Sequence, residues 1–180
     1  VRQYFLRDTL ETSLVKFESL HTALWSNGML VYVPDGTEVE LPLHSLTRMT
    51  ATGTATFAHT LVVLGSNSRL ELVEESGSDT AAQMAMSSSM IEVYLQAGAR
   101  LDYLGIQDWG GHHVGFSSWR AVLDRDSTLN YAEVALGGRL TKTVVQAIFP
   151  EPGSQSELWG LYICKDRQHI DHETHQHHIA

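Results

Sequence analysis

The sequence has 180 residues, of which 43% are apolar and 18% charged, and its formal net charge is −9 at pH 7. This balance indicates one globular domain with a sizeable core and argues against wholesale disorder. The acidic charge and the lack of a basic stripe argue against nucleic acid and against an anionic membrane surface as direct partners. No apolar run reaches the about 18 residues of a membrane helix, and the first residues are too polar for a signal peptide, so we expect a cytoplasmic protein.

The first predicted element is an amphipathic helix within residues 1–28, which we treat as an N-terminal helical cap. Apolar residues recur at helical spacing from Leu10 to Leu24. Asp8 and Glu11 can form a capping box at its start, and Asn27-Gly28 predicts its end. We expect this helix to cover the open end of the β-domain that follows, because exposed cores and strand edges invite association.

Residues 29–180 contain a repeat of strand, short polar turn and strand with a period near 30 residues. The copies are LVYVPDGTEVEL (30–41), LVVLGSNSRLEL (61–72), EVYLQAGARLDY (92–103), RAVLDRDSTLNY (120–131) and the longer QAIFPEPGSQSELW (146–159). The first strands end on Val33, Leu64, Leu95, Leu123 and Phe149, and the second strands open on Val39, Leu70, Leu101, Leu129 and Leu158. Apolar residues alternate along each strand, so each strand buries one face.

This period predicts an all-β fold, a right-handed parallel β-helix whose units stack and share one core. The segments between the copies are rich in Thr, Ser, Val and aromatic residues and would supply the other walls. A run of antiparallel hairpins is the alternative, because short turns also join hairpins. The final HHIA is similar to the opening strand of a sixth copy, so we expect the β-helix core to be incomplete at the C-terminus.

Histidine is concentrated in QHIDHETHQHHIA (168–180), which holds five of the ten histidines. Imidazole and carboxylate groups suit zinc or iron, which makes His169, His175 and His177 candidate metal ligands on one strand face beside Asp171 and Glu173. Side chains two residues apart on a strand lie about 6.6 Å apart, so three in a row rarely converge on one ion without a neighbouring strand. A solvated strand face is therefore the favoured interpretation.

Other residues that could carry chemistry are predicted to be structural. WGGHHVGFSSW (109–119) predicts a loop or corner between strands, with its adjacent histidines on opposite faces. Cys164 lies in an apolar stretch, so we expect its thiol to be buried and unreactive. We expect Glu74 and Glu75 to lie in a turn and to be solvated. The sequence has no G-x-S-x-G elbow and no phosphate-binding glycine loop, so we expect no catalytic site.

Several short motifs, in order along the chain, resemble the core domain of the SufB/SufD family, and SufD rather than SufB. The matching residues are Phe17, Leu20, His21, Gly28, Val33, Pro34, Gly36 and Pro42 in the first block, His59, Leu70 and Glu74 in the second, Gln107 and Trp109 in the third, and Asp171, Thr174 and His178 in the last.

The resemblance implies a right-handed parallel β-helix flanked by helical regions, and a non-catalytic scaffold role in the SUF machinery for iron–sulfur cluster assembly. It implies a SufB-like paralogue and the ATPase SufC as partners. In that family the SufC-docking helices and the paired last coils follow the β-helix. We therefore expect a truncated core that binds no cofactor by itself, that carries no assignable cluster-holding residue, and that self-associates through its open C-terminal coil.

Two other classes of function remain open from the residues. A metal-dependent enzyme would use the histidine-rich end. A carbohydrate-active β-helix enzyme would need a row of acidic or basic residues along one exposed wall, and no such row is evident between the copies.

Overall fold

The structure is a computed structural model that describes residues 4, 15–51, 53–78 and 84–180. Within these ranges it contains one helix, α1 (Val15–Leu24), followed by eleven strands. The strands are β1 (Asn27–Val33), β2 (Leu43–Met49), β3 (Ala55–Leu64), β4 (Arg69–Ser78), β5 (Ala85–Leu95), β6 (Arg100–Asp108), β7 (His113–Leu123), β8 (Thr128–Ala135), β9 (Leu140–Phe149), β10 (Gln155–Tyr162) and β11 (His169–His178).

The strands form two parallel sheets that stack as a β-solenoid. The first sheet has the order β1-β3-β5-β7-β9-β11 and the second has the order β10-β8-β6-β4-β2, so each coil places one strand in each sheet. Every pairing between these strands is parallel. The predicted β-helix is confirmed, and the alternative of antiparallel hairpins is wrong.

Strand register follows the repeat closely. Val33 lies opposite Leu64 and Leu64 opposite Leu95 in the first sheet. In the second sheet Leu101 lies opposite Leu129, as predicted, but Leu129 faces Ser156 rather than Leu158. The fifth turn is longer than the others. Matching apolar residues alone therefore placed the start of the fifth second strand at Leu158, two residues too far along the chain.

The core lies between the two sheets. Inward-facing leucine, valine and aromatic side chains of successive coils stack there, and most are almost fully buried. These residues include Val62, Leu64, Leu70, Leu72, Val93, Leu95, Leu101, Leu123 and Leu129. Because each side chain contacts equivalent residues of the coils before and after it, the coils hold one another in register.

Helix α1 lies on the outer face of the first sheet. The ring of Phe17 stacks on Phe116 of β7, with ring centroids 3.4 Å apart. The helix ends at Leu24, and Asn27-Gly28, which we expected to end it, instead begins β1. The predicted Asp8–Glu11 capping box lies outside the described residues.

The C-terminal segment forms one complete strand. β11 pairs with β9 from His169 to His178, so the sixth unit opens at His169 and not at the final HHIA. Cys164 lies exposed in the turn before it, which contradicts the prediction of a buried thiol.

Within the described ranges, no helix combines the length and the apolar character needed to cross a membrane.

Candidate functional site

The space between the sheets, which we call the lumen, has an apolar half and a polar half. The apolar half is the leucine-rich core described above. The polar half lies between the first residues of the first-sheet strands and the last residues of the second-sheet strands, and encloses a cavity of about 270 Å³. Its lining is about half polar, and the hydroxyl and carboxyl groups that contribute to it include those of Thr60, Glu74, Ser87, Ser117, Glu133, Thr141 and Thr143.

Among the described residues, Glu74 is one of two carboxylates that line the lumen. Its Oε1 accepts a hydrogen bond of 3.0 Å from the hydroxyl of Thr60, and its Oε2 accepts one of 3.0 Å from the hydroxyl of Tyr103. Burial raises the pKa of Glu74, although both hydrogen bonds oppose this change. The interpretation of Glu74-Glu75 as a solvated turn is wrong for Glu74, because β4 turns this side chain inward.

Glu133 is the second carboxylate and belongs to the same row of the second sheet. Gly105 separates it from Glu74, with one residue of each strand in register. Neighbouring strands lie about 4.8 Å apart, so the two glutamate backbones are about 9.6 Å apart. The hydroxyl of Tyr131 donates to Oε2 of Glu133 at 2.5 Å, and the hydroxyl of Thr143 donates to Oε1 at 3.3 Å.

Two stacked tyrosines connect the carboxylates. The rings of Tyr103 and Tyr131 are 5.3 Å apart at an interplanar angle of 9°, and Trp119 contacts both. Burial and the nearby carboxylates raise the pKa of both phenols well above the ordinary value, so they remain hydrogen-bond donors. Sequence reasoning missed this pair, although the two tyrosines occupy equivalent positions of successive copies.

This arrangement can hold water or a hydrated cation. Carboxylate and hydroxyl oxygens suit hard cations. The hydroxyls that donate to the two carboxylates are those of Thr60, Tyr103, Tyr131 and Thr143. Within the described residues, no group of three histidine, cysteine, aspartate or glutamate side chains is placed to hold a metal ion.

A corner formed by Gln107 and Trp109 closes one side of the polar half. The amide of Gln107 donates to the carbonyl of Gly137 at 3.0 Å, and its carbonyl accepts from the backbone of Leu136 and Gly137 at 3.1 Å. Trp109 stacks on His113 at 4.0 Å. The corner predicted for residues 109–119 is therefore confirmed up to His112, and β7 begins at His113.

His113 is a neutral, buried histidine. Burial lowers its pKa from 6.5 to about 4. Its Nε2 lies 2.8 Å from the hydroxyl of Ser87. The ring therefore contributes packing and a hydrogen bond rather than charge at neutral pH.

The candidate ligands His169, His175 and His177 all lie on the outward face of β11. His175 Nε2 is 2.8 Å from a carboxylate oxygen of Glu173, and its ring centroid is 6.0 Å from that of His177. His169 begins the strand, about 20 Å from His175 at the usual rise per residue. A different histidine, His172, faces the lumen, with its Nδ1 4.0 Å from Glu133 Oε2.

The second sheet carries an acidic row that sequence reasoning did not find. Glu71, Asp102, Asn130 and Glu157 lie in register on its outer face. Arg100 binds Asp102 through two hydrogen bonds of 3.0 Å. The expectation that no acidic row aligns between copies is therefore wrong, but Asp102, in the middle of the row, is already occupied by this arginine.

Comparison with known proteins agrees with the fold. The family described as "SUF system FeS cluster assembly, SufBD core domain" matches residues 47–180. The chain belongs to the SufBD family. It is 25% identical over 165 residues to the iron-sulfur cluster assembly protein SufB of Bacillus subtilis, covering 92% of this chain and 36% of that protein.

Two staphylococcal relatives give the same result. An iron-sulfur cluster assembly SufBD family protein of Staphylococcus epidermidis is 24% identical over 167 residues, covering 93% of this chain and 36% of that protein. A SufBD family protein of Staphylococcus saprophyticus is 22% identical over 146 residues, covering 81% and 31%. The chain thus spans about a third of the length of these curated relatives, and membership of the family supports a role in iron–sulfur cluster assembly.

Proposed function

We propose that this chain is the β-solenoid part of a scaffold subunit in the SUF machinery, of the SufD type, which works in the cytoplasm and catalyses no reaction by itself. The observation that carries the proposal is the match of the SufBD core domain to residues 47–180. These residues contain β3 to β11, and therefore both lumen carboxylates, Glu74 and Glu133.

The assignment to the SufD type rests on the general run of residues 107–180, which resembles SufD more than SufB.

The partners are proposed to be a SufB-like paralogue and a SufC-like ATPase. The test is co-expression of the intact protein with both candidates from the same organism, followed by size-exclusion chromatography with light scattering. We expect one complex that assembles iron–sulfur clusters, whereas the intact protein alone shows neither ATPase activity nor cluster formation. An intact protein that ignores both partners, or that turns over substrate alone, would contradict the proposal.

A further inference from the structure

The one fully buried side chain that the structure describes on α1 is a histidine. His21 is 0% exposed, whereas residues 16–20 and 22–24 are exposed or half-buried. Its Nδ1 lies 3.0 Å from the carbonyl oxygen of Ser88, and its Nε2 lies 3.2 Å from Nδ1 of His59. Nε2 of His59 lies 3.0 Å from Oε2 of Glu92. Three hydrogen bonds in series, here called the histidine row, thus join α1 to β3 and β5.

The number of protons in the histidine row follows from its two ends. The carbonyl of Ser88 and the carboxylate of Glu92 both accept hydrogen bonds, so the nitrogens that face them must carry protons. The middle bond, between His21 and His59, needs one further proton. The two rings therefore carry three N–H protons, one more than two neutral imidazoles have. Without it, two nitrogen lone pairs would face each other at 3.2 Å.

The extra proton belongs on the side of His59. Burial is the main cause that lowers the pKa of His21, so His21 is the neutral ring, donating to Ser88 and accepting from His59. His59 then donates from both nitrogens, and its positive charge faces Glu92 in an almost fully buried pair. Transfer of this proton to Glu92 would leave the total number of protons unchanged.

We propose that a proton shared along the row His21–His59–Glu92 fastens α1 to the solenoid and makes the docking of this helix depend on pH. Two other charged groups face the row among the described residues. Glu18 of α1 accepts a hydrogen bond from Ser118, and Arg120 of β7 lies opposite Glu92 in register. Carboxyl and guanidinium groups ordinarily titrate far from neutral pH, so the histidines set the response.

Docking should be strongest near pH 6.5, where a free histidine titrates. Above that pH the two histidines are neutral once α1 has undocked, whereas the docked row holds one extra proton. Docking therefore takes up a proton, and its equilibrium constant falls by up to about tenfold per pH unit. Below it, the two released histidines bind two protons, and acid also weakens docking. The lowered pKa of His21 adds to the weakening in acid. A histidine whose pKa is lower in the docked state stabilises docking at neutral pH, and this stabilisation is lost as the pH falls.

The protonation state can be observed directly in the intact protein with ¹⁵N-labelled histidine. At pH 6.5 we expect nuclear magnetic resonance to show one protonated nitrogen on His21 and two on His59. Two neutral rings beside an ionised Glu92, whose charge is read from its carboxyl ¹³C shift, would overturn the proposal, because the row would then hold no extra proton. This measurement needs no variant, so it does not depend on whether a substituted protein folds.

Helix docking is measured by hydrogen exchange of residues 15–24, corrected for the intrinsic rate. We expect protection to peak near pH 6.5 and to fall above it, while the protection of β5 stays constant. Glu92→Gln should remove the alkaline fall, whereas His44→Gln, which alters a histidine paired with Glu75 on the surface, should not. Protection that stays level from pH 6.5 to 8.5 in the unmodified protein would contradict the shared proton.

Discussion

Tyr103 donates its phenolic proton to Glu74 across two neighbouring strands of the second sheet, at 3.0 Å and inside the solenoid. The ring of Tyr103 is buried and stacks on the ring of Tyr131. Both lumen carboxylates thus accept a hydrogen bond from the coil that follows their own, Glu74 from Tyr103 and Glu133 from Thr143.

Removing that hydroxyl should destabilise the fold. Tyr103→Phe leaves Oε2 of Glu74 without this donor in a buried setting, which costs about 1–3 kcal/mol. Tyr32→Phe is the matched control, because Tyr32 is 63% exposed and its change should stay within about 0.5 kcal/mol. Urea denaturation of both variants provides the comparison, and equal losses would show that the hydroxyl contributes nothing specific.

Glu74 should make stability depend on pH. Burial raises its pKa in the folded state, so the folded protein favours the protonated form. That contribution is complete below the unfolded-state pKa and is lost as the pH rises through the folded-state pKa. Between pH 4 and pH 8, the free energy of unfolding of Glu74→Gln should therefore rise relative to that of the unmodified protein. Glu38→Gln, at an exposed position, should show no such rise. Parallel stability curves for both variants would argue against a buried carboxyl at position 74.

The corner between β8 and β9 should not tolerate a side chain at Gly137. A Cβ there would lie 2.1 Å from the carbonyl oxygen of Trp109, and backbone would have to move. Gly137→Ala should cost about 3 kcal/mol, at the upper end of the usual overpacking penalty. Gly111→Ala, where a Cβ meets nothing within 4 Å, is the control. Thermal melts that shift equally for both alanines would contradict the close approach.

The 180-residue chain studied by itself should self-associate through its last coil. β10 exposes Trp159 and Leu161, at 68% and 56%, beside an edge with no further strand among the described residues. Unpaired edges with apolar side chains recruit other chains. Leu161→Lys should shift the oligomer toward monomer, whereas Met84→Lys, at an exposed apolar position before a central strand, should not. Light scattering that shows a monomer at high concentration would contradict this prediction.

Metal binding by the histidine strand stays a prediction. If His175 and His177 share an ion with Glu173, titration of iron(II) or zinc(II) under anaerobic conditions should give one-to-one binding. Both His175→Ala and His177→Ala should abolish it, and His112→Ala, at an exposed turn, should leave it intact. Retention of binding in the first two variants would assign the ion to another site.

Sequence periodicity predicted the solenoid because one alternation pattern recurs at almost constant spacing, and the ends of all five first strands agree with it. The fifth second strand was misplaced because Leu158 is apolar and Ser156 is not, although Ser156 occupies the equivalent position. Composition does not show which polar residues turn inward. Glu74 and Glu75 look alike in the sequence, and strand parity alone separates them.

The histidine row could not have been predicted from spacing either. His21, His59 and Glu92 come from a helix and two strands, and their contact depends on where α1 docks. The resemblance to the SufB/SufD family singled out His21 and His59 without indicating that they touch. Long-range docking is decided by packing on the outer face of the sheet, which the repeat does not encode.

The long turn between β9 and β10 has a further consequence. Its one extra residue leaves the pairing of β10 with β8 intact, since Gln155 still lies opposite Thr128. A change in the length of this turn therefore does not alter the spacing between successive coils along the solenoid axis. A peptide tag inserted at residues 151–154 would protrude sideways and leave the coils on either side at the same pitch, which makes this corner a suitable position for a probe.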